Sequence, residues 1–284
     1  MKKLILSSVV LLAVAACSGT SNNDGGMGGG AGGGGAGGGG GVTSFDVSGH
    51  AVVYPAAQRF TSDGGFTLVG LTARVEEPFK VATNSGGIFS VTTLDSTAAF
   101  GATGLSPDDI VLGVGAGIFD DGGTRVIRSA TTIYDVALND GNKPAANITN
   151  AKGYAIPTPF HDALVAAITP AKIQMLTSAN GSVSTLVEAG CMIGRVIDAQ
   201  GNPLSGVTVQ PSSYASSFFY PTDDLGSTGT ATGADGLFVY VHNGGAVAQF
   251  TLKIAGHTEY KTRNAGATAG ACLVLDVFPG TTPP

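Results

Sequence analysis

The chain has 284 residues, a net charge of −6 and no tryptophan. Its 14 basic residues form no run longer than Lys2-Lys3, so it lacks the basic stripe of a nucleic-acid binder, and no nucleic-acid partner is expected. Beyond a leader and a glycine tract, roughly 240 residues remain, enough for one large or two ordinary domains.

Residues 1–16 have the pattern of a signal peptide. Two lysines follow Met1, and Leu4 to Val14 is apolar except for two serines. Eleven helical residues span about 16 Å, whereas the hydrocarbon core of a bilayer needs about 30 Å. The segment is therefore too short for a stable membrane-spanning helix and is predicted to be a leader.

The leader ends in Val14-Ala15-Ala16-Cys17, which resembles a bacterial lipobox. The resemblance implies that Cys17 becomes the mature N-terminus and carries diacylglycerol and a further acyl chain such as palmitate, with the lipid membrane as its partner. Ser18 follows the cysteine at a position where Asp would be the retention signal. A serine there resembles the pattern of lipoproteins sent to the outer membrane, where the protein would lie on the periplasmic face or at the cell surface. Ordinary cleavage after Ala15 is the alternative.

Residues 17–41 are predicted to be the lipidated Cys and a disordered Gly-rich tether. The segment offers almost no side chains to a core, and glycine loses the most entropy on ordering. About 24 flexible residues reach roughly 25–30 Å. Such a tether holds a folded part clear of a membrane surface.

Residues 42–140 show short apolar runs between glycine-rich turns, which predict a β-domain. The predicted strands cover 47–53, 68–75, 85–91, 109–114, 124–127 and 133–136.

Residues 141–189 are predicted to be a loop with two short helices. Thr158-Pro159 and Thr169-Pro170 each have an N-cap residue followed by proline at the first helical position. Apolar residues recur on one face behind each start, which favours packing against a sheet.

Residues 190–280 carry the clearest strand pattern, followed by a tail at 281–284. Strands are predicted over 191–198, 204–210, 237–241, 249–255 and 271–278, with a polar loop over 212–231. Short strands with turn signals between them predict an antiparallel sandwich.

The segment GRVIDAQGNPLSGVTV at 194–209, followed by TGADGLF at 232–238, resembles the carboxypeptidase regulatory-like domain. This resemblance covers about 190–279 and implies a transthyretin-like (prealbumin-like) fold with Phe238 in its core. A similar order of motifs at Gly49, Gly70 and Phe89, with different spacings, suggests a divergent second copy at 42–140. The expected fold class is therefore mainly β, with one or two transthyretin-like antiparallel β-sandwiches and a short helical connector.

Two cysteines remain if Cys17 is lipidated. Cys191 and Cys272 each begin an apolar segment, and export would place both in an oxidising compartment. A disulfide between them is predicted, with two buried free thiols as the alternative. Neither has further ligands close enough for a zinc site.

Catalytic chemistry has weak support in the sequence. The family's regulatory domain carries no catalytic residue, and no histidine here begins a zinc-protease motif. The acidic pairs at 108–109, 120–121 and 223–224 are predicted to lie in turns, as are the glycine-flanked Asp63 and Asp140, although a carboxylate- or calcium-dependent enzyme stays an alternative. No catalytic residue, metal or cofactor is expected.

Four aromatics in the predicted polar loop are the best candidate ligand contacts: Tyr214, Phe218, Phe219 and Tyr220. Carbohydrate-binding modules of related fold dock sugars on exposed aromatic rings, although these four could instead fold back over the edge of the sandwich. The preferred function is a non-catalytic structural or binding role at the cell envelope, with a glycan or an envelope protein as the possible partner.

Overall fold

The structure, a computed structural model, describes residues 42–62 and 64–284. The predicted signal peptide, Cys17, the glycine-rich tether and Asp63 lie outside the described residues. None of the helices in the described part has the length and apolar character required to span a membrane.

The prediction of a mainly β chain with a few short helices is confirmed. The first part of the chain contains β1 (Phe45–Val53), β2 (Thr72–Glu76), α1 (Pro78–Ala82), β3 (Ile88–Thr93), β4 (Ala99–Leu105), β5 (Gly113–Phe119), β6 (Val126–Ile127), β7 (Ser129–Asp135) and β8 (Ile148–Pro157). Two short 3-10 helices, Pro55–Phe60 and Pro107–Asp109, lie between these strands.

The second part begins with helices. It contains α2 (Thr158–Ile168), α3 (Pro170–Leu176), α4 (Leu186–Ala189), β9 (Cys191–Val196), β10 (Val209–Pro211), β11 (Phe218–Pro221), β12 (Thr228–Gly229), β13 (Leu237–Val241), β14 (Ala248–Ile254), β15 (Arg263–Ala267) and β16 (Cys272–Val277). Short 3-10 helices cover Ser178–Asn180 and Ala215–Ser217.

A nine-stranded central sheet runs through both parts of the chain in the order β12-β11-β13-β9-β16-β7-β5-β2-β3. The strand β16 lies between β9 and β7 and is parallel to both, so the sheet is mixed rather than purely antiparallel. The sheet joins strands from the predicted 42–140 and 190–280 domains, and the predicted boundary between them does not interrupt it.

Two smaller sheets cover the central one. The sheet β4-β1-β8-β6 and the helices α2, α3 and α4 pack on one face, and β10-β14-β15 and α1 pack on the other. In β9, Ile193 belongs to the first core and the neighbouring Met192 to the second. Because both faces are covered, β9 and β13 are buried along their whole length, as expected of central strands.

The motif that carries the family resemblance has a direct packing consequence. Gly194 of β9 lies opposite Phe238 of β13, and a Cβ placed on Gly194 would be 2.0 Å from the phenyl ring. Phe238 is fully buried in the core, as predicted. Glycine is therefore required at 194 because the ring occupies the space of a side chain.

The proposed second copy does not reproduce this strand pairing. Its counterparts of β9 and β13 are β1 and β3, but β1 pairs with β4 and β8, whereas β3 pairs with β2 in the central sheet. The ring that packs on Gly49 belongs to Phe100, not to Phe89. The similar order of motifs therefore does not correspond to similar pairing.

The segment predicted as a loop with helices, 141–189, contains an additional strand. The ten-residue β8 lies parallel to β1. The sequence predicts no strand here, because parallel partners are joined by long connections and leave no turn signal. Thr169 caps α3 as predicted by accepting a hydrogen bond from the Lys172 amide. Thr158 is not a cap: Pro157 holds that position, and Thr158 is the first helical residue.

Candidate functional site

A cavity of about 290 Å³ lies between the central sheet, α1 and the β14–β15 hairpin. Its walls are mostly apolar, and the exposed residues Asn84 and Gln249 line its rim. Among the described residues that line it, the charged ones are Glu76, Arg128 and Asp135, and no histidine or cysteine is present. A concave apolar site with a few polar groups is the common form of a ligand pocket.

Alternating glycines on β5 create room beside this cavity. In β5, whose sequence is GVGAGIF, the side chains of Val114, Ala116 and Ile118 point into the core. Because successive residues of a strand face opposite sides, the glycines lie on the other face. A Cβ at Gly115 would be 2.7 Å from the Pro78 ring, and a Cβ at Gly117 would be 3.1 Å from the Glu76 carboxyl group. These close approaches allow α1 and the carboxyl group to lie directly on the strand.

Glu76 is the most unusual group in the cavity. It ends β2 and is only 2% exposed, and its Oε2 has no hydrogen-bond partner among the described residues. Burial raises the pKa of Glu76, and the positive charges of Arg128 and Arg74 oppose that shift. A buried acceptor without a donor costs free energy, so a molecule that supplies the donor would bind favourably.

The neighbouring Glu77 has a structural role. Its carboxylate accepts hydrogen bonds from the amide of Lys80, in α1, and from the amides of Leu112 and Gly113, at the start of β5. These bonds satisfy the carboxylate and fix α1 against the sheet. Of the two adjacent glutamates, only Glu76 presents an unpartnered oxygen.

Two arginines lie on the same side of the sheet as Glu76. The guanidinium carbons of Arg74 and Arg128 lie 4.5 and 6.0 Å from the centre of the Phe119 ring. Neither arginine forms an ion pair with Glu76 within 4.0 Å in the described part of the chain. Arg128 lines the cavity and Arg74 does not.

The opposite wall is held by Asp135 and Asn264. Asp135 Oδ2 accepts from the backbone amide of Asn264, and Oδ1 accepts from its side-chain amide, each at 2.9 Å. The amides of Ala137 and Leu138 also donate to Oδ1. Burial raises the pKa of Asp135, and its four hydrogen bonds leave it committed to the fold rather than to a ligand.

Comparisons with known proteins give no family for this chain. No family model matches it, and no curated protein matches it. Among solved structures, the Bacillus anthracis TIE protein is 9% identical with a TM-score of 0.23, covering 84% of this chain, which spans only 34% of that protein.

Two pilins give similar values. The shaft pilin SpaA of Lactobacillus rhamnosus GG is 11% identical with a TM-score of 0.24, covering 85% of this chain and 100% of its own. A streptococcal ancillary pilin is 7% identical with a TM-score of 0.24, covering 84% and 70%. These values are too low to transfer an assembly or a function to this chain.

The predicted disulfide is present between Cys191 and Cys272. The two residues are direct neighbours on the parallel strands β9 and β16, with Cα atoms 4.5 Å apart and 81 positions apart in sequence. Both are fully buried in the core beneath α2. They lie side by side at the start of their strands, so the bond joins two neighbouring strands of the central sheet.

The prediction that the four candidate aromatics lie in a polar loop is wrong for three of them. Phe218, Phe219 and Tyr220 form β11. Successive residues of a strand point to opposite faces. Phe218 packs on Tyr240, and Phe219 points to the other face. Tyr220 is buried, and its hydroxyl accepts a hydrogen bond from the Val209 amide.

Tyr214 is the most exposed member of the group. It is 46% exposed, and its ring rests against Tyr240 and Phe250 at 5.9 and 5.7 Å. One exposed ring flanked by buried aromatics offers a ligand less surface than the four aromatic rings proposed from the sequence. The other three candidates contribute mainly to the packing of the central sheet.

The acidic pairs lie in three separate connections, so they do not converge, and the predicted turn at 108–109 is the 3-10 helix Pro107–Asp109. The 108–109 pair lies between β4 and β5, the 120–121 pair after β5, and the 223–224 pair between β11 and β12. Asp120 accepts three hydrogen bonds from Arg125, and these bonds lower the pKa of Asp120. Asp140 forms an ion pair with Lys261. In the described ranges, no three metal-ligating side chains come together.

The cavity residues Glu76, Arg128, Asp135 and Asn264 were not identified from the sequence. The available signal was local: a glutamate ending an alternating strand, followed by a strand with glycine at every second position. That signal does not show which distant segments close the cavity. The wall formed by Asn264 belongs to β15, which the sequence analysis also missed.

Proposed function

We propose that this chain is an exported bacterial lipoprotein that is anchored through Cys17 and has a non-catalytic binding role at the cell envelope. The buried Cys191–Cys272 disulfide is the observation that supports the proposal most. Disulfides persist in oxidising compartments, which agrees with a leader that directs export. The lipobox-like sequence at 14–17 supplies the attachment point.

The non-catalytic part of the proposal is supported by the arrangement of acids. The acidic pairs that an enzyme would need are spread over separate connections. The two acids that do share a cavity differ in role, because Asp135 accepts four hydrogen bonds. The regulatory-like resemblance of 190–280 agrees with a domain that binds rather than reacts.

Lipid attachment is tested by growing expressing cells with an alkyne analogue of palmitate. The wild type should incorporate the label and fractionate with membranes, whereas Cys17→Ala should lose both properties. The absence of label on the wild type, or Cys17→Ala protein still in the membrane fraction, would exclude the anchor. Intact mass of the purified chain would distinguish acylation at residue 17 from cleavage after Ala15.

The outer-membrane location is tested by Ser18→Asp. This variant should stay acylated but move from the outer-membrane to the inner-membrane fraction, if Ser18 is the sorting residue. A conservative control, Ser18→Thr, should not move. Protease treatment of intact cells then separates the cell surface from the periplasmic face.

Sugar binding is a second candidate function, supported by the exposure of Tyr214. Flat aromatic rings stack on sugars, and this ring is held in place by Tyr240 and Phe250. A glycan array should give a signal that Tyr214→Ala abolishes and Tyr214→Phe retains. An array without signal for the wild type would remove this candidate and leave an envelope protein as the partner.

A further inference from the structure

Three charged residues line the cavity described above, and two of opposite sign, Glu76 and Arg128, are not in direct contact. Glu76 and Arg128 both line it, yet they form no ion pair, and Glu76 Oε2 has no hydrogen-bond partner in the described part of the chain. A buried carboxylate with no donor is unfavourable by itself. The geometry therefore places an unpartnered carboxyl oxygen and a guanidinium cation in the wall of one cavity.

Much of the remaining wall is built from small apolar side chains. Four alanines and one leucine face the cavity from β7, β14, β15 and β16: Ala130, Ala248, Ala265, Ala267 and Leu273. Their short side chains leave the volume that larger residues would fill. The space suits an aliphatic group, because burying apolar surface contributes about 25 cal/mol per Å².

We infer that this cavity binds a small zwitterion with an aliphatic side chain, that is, an aliphatic α-amino acid. Its ammonium group would donate to Glu76, its carboxylate would pair with Arg128, and its side chain would lie against the alanine wall. The inference names the ligand class for the binding role proposed above, on which it rests. It does not depend on lipid attachment.

Other ligand classes leave one of the charges uncompensated. A fatty acid would pair with Arg128 but would leave Glu76 Oε2 without a donor. An aliphatic amine would satisfy Glu76 but would leave the guanidinium group unopposed. A metal ion would leave the guanidinium group of Arg128 unopposed, and a fully ionised phosphate would offer no donor to Glu76 Oε2.

The test uses the full chain, purified with its disulfide intact, and isothermal titration calorimetry with three probes. L-Leucine is the zwitterion, 3-methylbutylamine is the same molecule without the carboxylate, and 4-methylpentanoate is the same molecule without the amine. Leucine should bind with 1:1 stoichiometry, and each analogue should bind at least about tenfold more weakly. Equal binding of either analogue, or no leucine binding at millimolar concentration, would overturn the inference.

Variants assign the contacts. Glu76→Gln and Arg128→Gln should each weaken leucine binding by at least about tenfold, whereas the exposed controls Glu259→Gln and Arg59→Gln should not change it. Ala265→Leu fills the cavity and should abolish binding. Near-ultraviolet circular dichroism checks that each variant is folded. Unchanged affinity in folded Glu76→Gln or Ala265→Leu would place the ligand elsewhere and contradict the inference.

The outcome is separable from that of the lipid test. Leucine binding by a chain that carries no palmitate label would support the cavity and reject the anchor. A labelled, membrane-bound chain without leucine binding would reject the cavity ligand and leave the anchor in place.

Discussion

Asp135 holds Asn264 by two hydrogen bonds of 2.9 Å, one to its backbone amide and one to its side-chain amide. The two residues are 129 positions apart in sequence and belong to different sheets, β7 in the central sheet and β15 in the outer one. A second bond from the Asn264 side chain reaches the carbonyl of Leu112. This contact fixes the outer sheet over the central one and so defines one wall of the cavity.

Removing the Asn264 amide should destabilise the fold. Asn264→Ala leaves the Asp135 carboxylate and the Leu112 carbonyl each with one donor fewer, and we expect the free energy of unfolding to fall by about 1–3 kcal/mol. Urea denaturation followed by fluorescence measures the change. Asn180→Ala, which removes one exposed hydrogen bond, is the control and should have a smaller effect. Equal effects of the two variants would show that the contact contributes little.

Breaking the Cys191–Cys272 bond should cost far more. The bond closes a loop of 81 residues, for which the chain-entropy model gives about 4–5 kcal/mol. Guanidinium denaturation of oxidised and reduced protein should therefore give clearly different midpoints. Because both cysteines are fully buried, reductant should not reach the bond until the protein unfolds. Titration of the Cys191 and Cys272 thiols in the denatured, unreduced chain would contradict the assignment.

A buried ion pair lies between β9 and β16. Arg195 donates to both oxygens of Asp276. Tyr154, in β8 of the four-stranded sheet, donates to the same carboxylate at 2.8 Å. Burial and the Asp276 charge raise the pKa of the Tyr154 hydroxyl, which therefore stays protonated and acts as a donor. The hydrogen bond from Tyr154 therefore links the ion pair in the central sheet to β8.

Asp276→Asn should destabilise the protein by about 3–5 kcal/mol, because it leaves the Arg195 charge buried without a counter-ion. The control is Asp140→Asn, which breaks the exposed pair with Lys261 and should cost less than about 1 kcal/mol. Thermal and urea denaturation of both variants give the comparison. A small effect at 276 would mean that water compensates the Arg195 charge.

Glu76 should give the stability of the protein a distinctive pH dependence. Burial raises its pKa in the folded state, so the native protein holds this proton more tightly than the unfolded chain does. The resulting stabilisation is fully present below the unfolded pKa of about 4.3 and is lost as pH rises through the folded pKa. At neutral and higher pH the buried carboxylate opposes folding.

Glu76→Gln removes this penalty. Its urea midpoint should exceed that of the wild type at pH 8, and the difference should shrink as pH falls toward 4. Glu259→Gln is the control with the opposite sign, because the hydrogen bond from His257 lowers the pKa of Glu259 and no gain is expected at pH 8. A constant difference between Glu76→Gln and the wild type at all pH values would show that Glu76 does not titrate differently in the two states.

Local features were predictable because neighbouring residues determine them. Short apolar runs over 47–53 and 249–255 predict the strands observed as β1 and β14. Thr169 was recognised as the cap of α3 for the same reason. The pairing of the two cysteines followed from their number once the first was assigned to the lipid.

Only the tertiary structure decided which strands became neighbours. The strand β8 joined β1, and β16 was placed between β9 and β7, both in parallel, so strands far apart in sequence share one sheet. The same placement turned Phe218 and Phe219 to opposite faces and closed a cavity around Glu76 with Asn264. Local periodicity specifies which side of a strand is apolar. The surface that covers that side is set by contacts between distant segments, and the residues near the strand carry no signal of those contacts.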